Sequence, residues 1–169
     1  VGFELDAKIE VTQKLFLMPN VMVSQNKNKD FFFERDGALQ NLGNTNIAFS
    51  PDIIAGGNIT FLPLKNLQLS VLSKYVGKQF MGNIDAEKSE LEAYFINDLN
   101  INYEWKINKG IKSIIFSGLV NNIFNIEYES NGYFYTYDDD STGNVITYEG
   151  AGYYPQAGIN FLAGMILKF

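Results

Sequence analysis

The chain alternates to its last residue: Phe161, Ala163, Met165, Leu167 and Phe169 fall on one side of an extended segment, and Asn160, Gly164 and Lys168 on the other. Successive side chains of a strand point to opposite faces, so period-two alternation predicts a strand with one apolar face. The pattern recurs upstream. Phe3, Leu5, Ala7, Ile9 and Val11 oppose Glu4, Asp6, Lys8 and Glu10, and Leu99, Ile101, Tyr103 and Trp105 oppose Asp98, Asn100, Asn102 and Glu104. Leu67, Leu69, Val71 and Tyr75 face away from Gln68, Ser70 and Lys74, and Ile53, Ala55, Gly57, Ile59 and Phe61 from Asn58 and Thr60. Segments 15–26 and 113–124 also read as strands, with mixed faces. The total is about seven strands, each near the ~10 residues that a tilted strand needs to cross a bilayer.

The connections alternate in length. Those at 12–14, 64–66 and 106–112 are short, and those at 27–52, 81–94 and 126–158 are long. Short turns on one rim and long loops on the other are the asymmetry of outer-membrane β-barrels, whose turns are periplasmic and loops extracellular. The final strand is then expected to run from the outside to the periplasm. Phe95 and Trp105 share a face; at ~3.3 Å per residue and a ~45° tilt they stand ~23 Å apart in height, close to the ~25 Å apolar band between aromatic girdles. Phe161 and Phe169 mark the same two levels.

Composition narrows the function classes. Thirteen basic against nineteen acidic side chains give a net charge of −6, which offers no footprint for a phosphate backbone, so no nucleic-acid partner is expected. The chain has no cysteine and no histidine. Thiolate and imidazole metal sites, Cys and His nucleophile-base pairs and a disulfide framework are therefore removed together. Paired carboxylates such as Glu4 and Asp6 lie on the same side of one strand with no identifiable acid partner, and no catalytic residue is assigned. Aromatic residues reach 15%, which suits interfacial girdles. The mean hydropathy of −0.08, with no long apolar run, excludes a transmembrane helix but not a barrel, whose apolar residues fall at every second position.

Two further segments carry a resemblance. Asn122-Ile123-Phe124-Asn125-Ile126-Glu127-Tyr128 fits the pattern Asn-(Leu or Ile)-Phe-(Asp or Asn)-x-x-Tyr, preceded by Gly118 and Val120. Tyr154-Pro155-Gln156-Ala157-Gly158 leads through Ile159, where that pattern usually has Arg, into Asn160-Phe161 and the terminal Phe169. Together with the closing strand these resemble the C-terminal end of a TonB-dependent outer-membrane receptor. The resemblance implies structural roles for Asn122, Phe124, Tyr128, Pro155, Gly158, Phe161 and Phe169. It also implies an all-β, antiparallel transmembrane barrel of about twenty-two strands, of which residues 1–169 would be the C-terminal part. The N-terminal plug, the TonB-contacting segment (TonB box) and the earlier strands would lie elsewhere, and Val1, already inside an alternating segment, is expected to mark a cut. The implied function is active import of a scarce nutrient complex, a siderophore or other metal chelate, across the outer membrane of a diderm bacterium. Its partners would be the remainder of the barrel, the plug, the TonB complex, outer-membrane lipid and the ligand. A passive outer-membrane porin or other barrel, and a soluble β-sandwich ligand-binding module, are the alternatives.

Recognition is expected in the loop 126–158. Tyr133, Tyr135, Tyr137, Tyr148, Tyr153 and Tyr154 are the candidate ligand-contacting residues, because tyrosine is a rigid amphipathic stacking surface. The alternative for these residues is a hairpin above the membrane, with 133–137 paired to 145–148. The same loop holds Asp138, Asp140, Thr142, Gly143 and Glu149 at the spacing of a calcium-binding loop, a possible Ca²⁺ site flanked by strands rather than helices. The polar set Glu4, Asp6, Lys8, Asp98, Asn100, Asn102 and Glu104 is expected to face a wet interior or a plug.

Overall fold

The computed structural model describes residues 1–169, except the side chains of residues 108 and 109. The main strands, numbered in chain order, are β1 (Gly2–Asp6), β2 (Ile9–Thr12), β3 (Leu15–Ser24), β4 (Ile53–Leu64), β5 (Leu67–Val76), β6 (Tyr94–Lys109), β7 (Ile111–Asn121), β8 (Glu129–Asp139), β9 (Ile146–Pro155) and β10 (Asn160–Lys168). All but β8 and β9 form a single antiparallel sheet in the order β1-β3-β4-β5-β6-β7-β10, with β2 also on β3. β1 and β2 hold the same register against β3, Asp6 opposite Asn20 and Ile9 opposite Leu17. They form one strand position, so the sheet has the expected number of crossings.

The interruption between β1 and β2 has a cause on the neighbouring strand. Ala7 N–H donates to the Pro19 carbonyl at 3.1 Å, but proline has no N–H to return the bond. The ladder therefore misses one rung without changing register.

Pairing aligns the faces across the sheet. Leu5, Val21, Ala55, Tyr75 and Phe95 share one row, and Ile9, Leu17, Ile59, Val71, Leu99, Val120 and Phe161 another. This face is apolar apart from Ser73 and Asn97, with aromatic rings near both ends: Phe3, Tyr75, Phe95 and Phe161 toward the long connections, Phe61, Tyr103, Trp105 and Phe116 toward the short ones. The opposite face mixes Asp6, Asp98, Asn100, Asn102 and Glu104 with Met18, Met22, Leu72, Leu119 and Ile166. The mixed alternation of segments 15–26 and 113–124 comes from this second face, which alternates polar with apolar.

At the short-connection rim, Ser113 Oγ donates to Glu104 Oε1 at 2.7 Å and Lys168 Nζ lies 3.6 Å from the same oxygen. The connection expected at 106–112 is tighter than that: the strands run on to a turn at Gly110, whose φ of +77° suits glycine. The strand expected through residue 124 stops at Asn121, because Asn122 takes φ +50°.

Both sheet edges are open. Among the described residues β1 and β10 have no second neighbour, and the sheet does not close. Large apolar side chains stay exposed on it, Phe161 at 79% and Phe169 at 75%. The buried apolar side chains, Val76, Met81 and Leu91, lie at or above the long-connection end. Among the described residues this sheet has no core of its own, and Ile101 and Tyr103 on its apolar face stay exposed, which excludes the β-sandwich alternative.

Candidate functional site

The long connections fold against one another. The first carries a hairpin of Phe32–Arg35 with Ala38–Asn41, turned by Asp36-Gly37 at φ +55° and +70°, the conformation that favours an Asp-Gly pair. The second carries a short ladder, Gln79–Phe80 with Glu90–Leu91, closed by the ion pair Lys78–Glu90; the Glu90 bond holds the Lys78 ammonium above its ordinary pKa. The third carries the β8–β9 hairpin.

Side chains tie the three together. Asp36 N–H donates to Thr147 Oγ1 and Thr147 N–H returns a bond to Asp36 Oδ1, both at 2.8 Å. Arg35 pairs with Glu149. Tyr153 O–H donates to the Lys88 carbonyl at 2.9 Å. Asn46 N–H donates to Asp85 Oδ1 at 2.8 Å and Ala48 N–H to Asn83 Oδ1 at 2.7 Å. Gly82 lies beneath the Phe134 ring. Removing the reciprocal bond should loosen the hairpin without touching the wall. Asp36→Ala, which keeps the backbone N–H bond to Thr147 Oγ1 and loses only the side-chain acceptor, is expected to speed amide exchange around Thr147 by roughly fivefold to tenfold, the worth of one hydrogen bond, with β3 to β7 unchanged. Hydrogen-exchange mass spectrometry reads both regions at once.

The hairpin's other face is a row of rings. Tyr133, Tyr135 and Tyr137 follow at 6.2 and 6.3 Å between centroids; Tyr148 lies 5.4 Å from Tyr137, and Tyr154 6.0 Å from Tyr133. Tyr133 pairs with Gly152 and Tyr135 with Gly150, and each ring lies over its glycine: a Cβ on Gly152 would sit 2.5 Å from the Tyr133 ring, and one on Gly150 would strike Tyr135. Glycine lets a cross-strand ring cover its backbone. The rings remain about half exposed. Five of the six candidate tyrosines are thus assembled on one surface. Tyr153 is not among them, because one step along β9 turns it to the opposite face and onto Lys88. The expected pairing of 133–137 with 145–148 is corrected in register, since Tyr133 meets Gly152 and only Tyr137 meets Tyr148.

The possible calcium site is also corrected. Asp138 accepts from Thr147 Oγ1 at 2.6 Å, Glu149 is engaged by Arg35, and Asp140 and Thr142 lie in the turn beyond. A hairpin spreads Asp138, Asp140, Thr142 and Glu149 along its length where a calcium loop would wrap them. Among the described residues no group of three acidic side chains converges. The Asp139 carboxyl is held below its ordinary pKa by the Ser141 N–H it accepts.

The segment 122–128 is a corner. Asn122, 3% exposed, donates from Nδ2 to the carbonyls of Ile126 at 2.9 Å and Ala157 at 3.3 Å, and its Oδ1 accepts from Ile126 N–H at 2.9 Å. Its own N–H donates to Asp98 Oδ1 at 2.7 Å. Asn125 Oδ1 accepts from Ile159 N–H at 2.8 Å, and a Cβ on Gly158 would meet that oxygen at 2.5 Å. Tyr128 packs on Tyr94 with centroids 4.5 Å apart, and burial pushes its hydroxyl pKa up. Asn122, Asn125, Tyr128 and Gly158 thus pin the two ends of the long connection together. Pro155 ends β9, while Phe124 and Phe161 stay on the surface.

No family model matches the chain, and no curated protein matches it in sequence. Solved structures do. The siderophore receptor PiuA of Acinetobacter baumannii overlays 98% of the chain at 18% identity and a TM-score of 0.66. The ferric-catecholate import receptor Fiu of E. coli, in its open form, overlays 97% at 14% identity and 0.61, and a mutant of the ferric enterobactin receptor PfeA of Pseudomonas aeruginosa 97% at 14% and 0.60. The chain corresponds to 21%, 20% and 21% of those receptors. It therefore has the fold of part of an outer-membrane receptor's antiparallel β-barrel, as the strand rhythm and the closing motifs predict, and spans about a fifth of each receptor chain. The matched proteins are receptors rather than enzymes.

Proposed function

We propose that the chain is the C-terminal wall segment of a TonB-dependent outer-membrane receptor that captures a siderophore or other metal chelate and imports it actively. One observation carries this reading: a sheet without a core, largely apolar on one face between two levels of aromatic rings, open at both edges, whose chain overlays about a fifth of a siderophore receptor over 98% of its own length. The apolar face would meet outer-membrane lipid. β1 and β10 would pair with the remainder of the barrel, and the mixed face, with Glu4, Asp6, Lys8, Asp98, Asn100, Asn102 and Glu104, would meet the N-terminal plug and the water around it. Ligand would be caught by the loops and released inward when the TonB complex, energised from the inner membrane, rearranges the plug. The wall's part is positional and non-catalytic.

Uptake of iron-labelled chelates by cells carrying or lacking the full gene tests the reading. Gene-dependent uptake that stops when TonB is removed supports it; uptake indifferent to TonB would identify a passive porin and overturn it.

Within this reading the half-exposed surface of Tyr133, Tyr135, Tyr137, Tyr148 and Tyr154 is the ligand-contacting part of the segment. Valine at Gly150 and Gly152 would lift two rings off the backbone. At about 1 kcal/mol per stacked ring, the double variant should weaken ligand binding on the order of 30-fold, with barrel stability unchanged. Titration calorimetry on the purified receptor measures it, and equal affinity would remove the tyrosines from the site.

A further inference from the structure

The tyrosine row of the β8–β9 hairpin presents ring faces. Tyr133 and Tyr135 lie across Gly152 and Gly150 of the neighbouring strand, so one side of each ring rests on backbone and the other turns outward. Tyr133, Tyr135 and Tyr137 follow one another at interplanar angles of 20° and 23°, and Tyr148 is within 19° of parallel to Tyr137. The rings therefore form a continuous surface of half-exposed π faces. The face is the negative pole of an aromatic ring and attracts cations.

The charge around the row has the same sign. Between Lys112 and Lys168 the chain has no Lys or Arg, yet it carries Glu127, Glu129, Asp138, Asp139, Asp140 and Glu149. Asp139 is in phase with the tyrosines, two residues beyond Tyr137, and ends the row at the hairpin tip. Its carboxylate accepts from Ser141 N–H and keeps acceptor capacity for a further donor. Arg35 and Lys88, which reach the hairpin from other connections, both bond Glu149 on the opposite face. The cation–π pairs among the described residues, Arg35 with Phe33 and Lys78 with Phe80, also lie away from the row.

We propose that the row receives an organic cation: an ammonium or guanidinium group carried by the ligand docks over the faces of Tyr135 and Tyr137, with Asp139 complementing its charge. Ring quadrupoles and carboxylates attract the same sign, and a site lined by one sign concentrates its counter-ion. The inference rests on the receptor reading above and narrows its ligand to a chelate with a positively charged arm. A polyanionic chelate would be repelled by the same surface.

Choline and its neutral carbon isostere, in which a tert-butyl group replaces the trimethylammonium, are the probes. Fluorotyrosine in place of Tyr148, in the full-length protein in detergent, reports each titration by fluorine NMR against sodium chloride at matched ionic strength. Choline is expected to bind about tenfold more tightly than the isostere. Tyr137→Leu keeps an apolar group and removes a π face, and Asp139→Asn keeps an acceptor for Ser141 and removes the charge; each should cut the preference roughly threefold. Equal affinity for the two probes, or a preference that neither substitution changes, overturns the proposal. Silence from both probes overturns it too, and would mean that another part of the protein covers the row. All three results leave TonB-dependent uptake untouched, whereas uptake indifferent to TonB removes the receptor reading whatever the titration gives.

Discussion

Asn122→Ala should be the most damaging single truncation in this segment. It strips partners from Ile126 N–H, Ile126 C=O and Ala157 C=O in a place that is almost fully buried. Each buried group left without a partner costs about 1–3 kcal/mol, so a loss of about 3 kcal/mol or more is expected. Asn122 also sits at φ +50°, a conformation that asparagine tolerates better than alanine. The damage should localise: the corner frays and the β8–β9 hairpin loses its anchorage to the wall. The denaturation midpoint of the full-length protein in detergent gives the magnitude, and exchange along 122–128 and 156–159 the place. A variant as stable as wild type would mean the corner is held by the chain on either side and not by this side chain.

The second large effect separates two neighbours. Leu99 and Asn100 are adjacent in β6, yet Leu99 lies on the apolar face opposite Val71 and Val120, and Asn100 on the mixed face opposite Ser70 and Leu119. An arginine on the lipid face near the bilayer midplane costs about 2–4 kcal/mol. On the proposed membrane-wall reading, Leu99→Arg should therefore lower folding stability in lipid vesicles by that amount, and Asn100→Arg by well under about 1 kcal/mol, since the second face already carries polar and charged side chains and would meet water. Reversed or equal effects would mean that the faces have been assigned the wrong way round.

What could be read from the residues, and what could not, follows from the range of the interactions involved. Alternation is local, so β4, β5, β6 and β10 were legible, and so was the direction of each face. Segments 15–26 and 113–124 were ambiguous because Met18, Met22, Leu119 and Ile115 place apolar groups on both sides, and only pairing with Asn58, Ile54, Leu162 and Ile166 shows which side is which. The gap at Ala7 depends on a proline in the next strand, so no window on β1 reveals it. Asp36-Gly37 was a turn signal available in the letters, whereas its exchange with Thr147 joins loops far apart in the chain. The aspartates at 138 and 140 had a calcium spacing, but spacing says nothing of path, and the path is a hairpin. Tyr153 followed the same logic in miniature: composition placed it with the other tyrosines, and strand parity removed it.

The clasp joining the three loops has a consequence for timing. Asp36 with Thr147, Arg35 with Glu149, Tyr153 with Lys88 and Asn46 with Asp85 are separate links between the same few pieces. Breaking one loosens only its own surroundings while the rest hold, so the three loops have no inexpensive way to part. It should behave as a single latch, staying shut through most fluctuations and swinging as a unit when it does release, which in the proposed receptor would make ligand entry an all-or-none event instead of a gradual parting of loops.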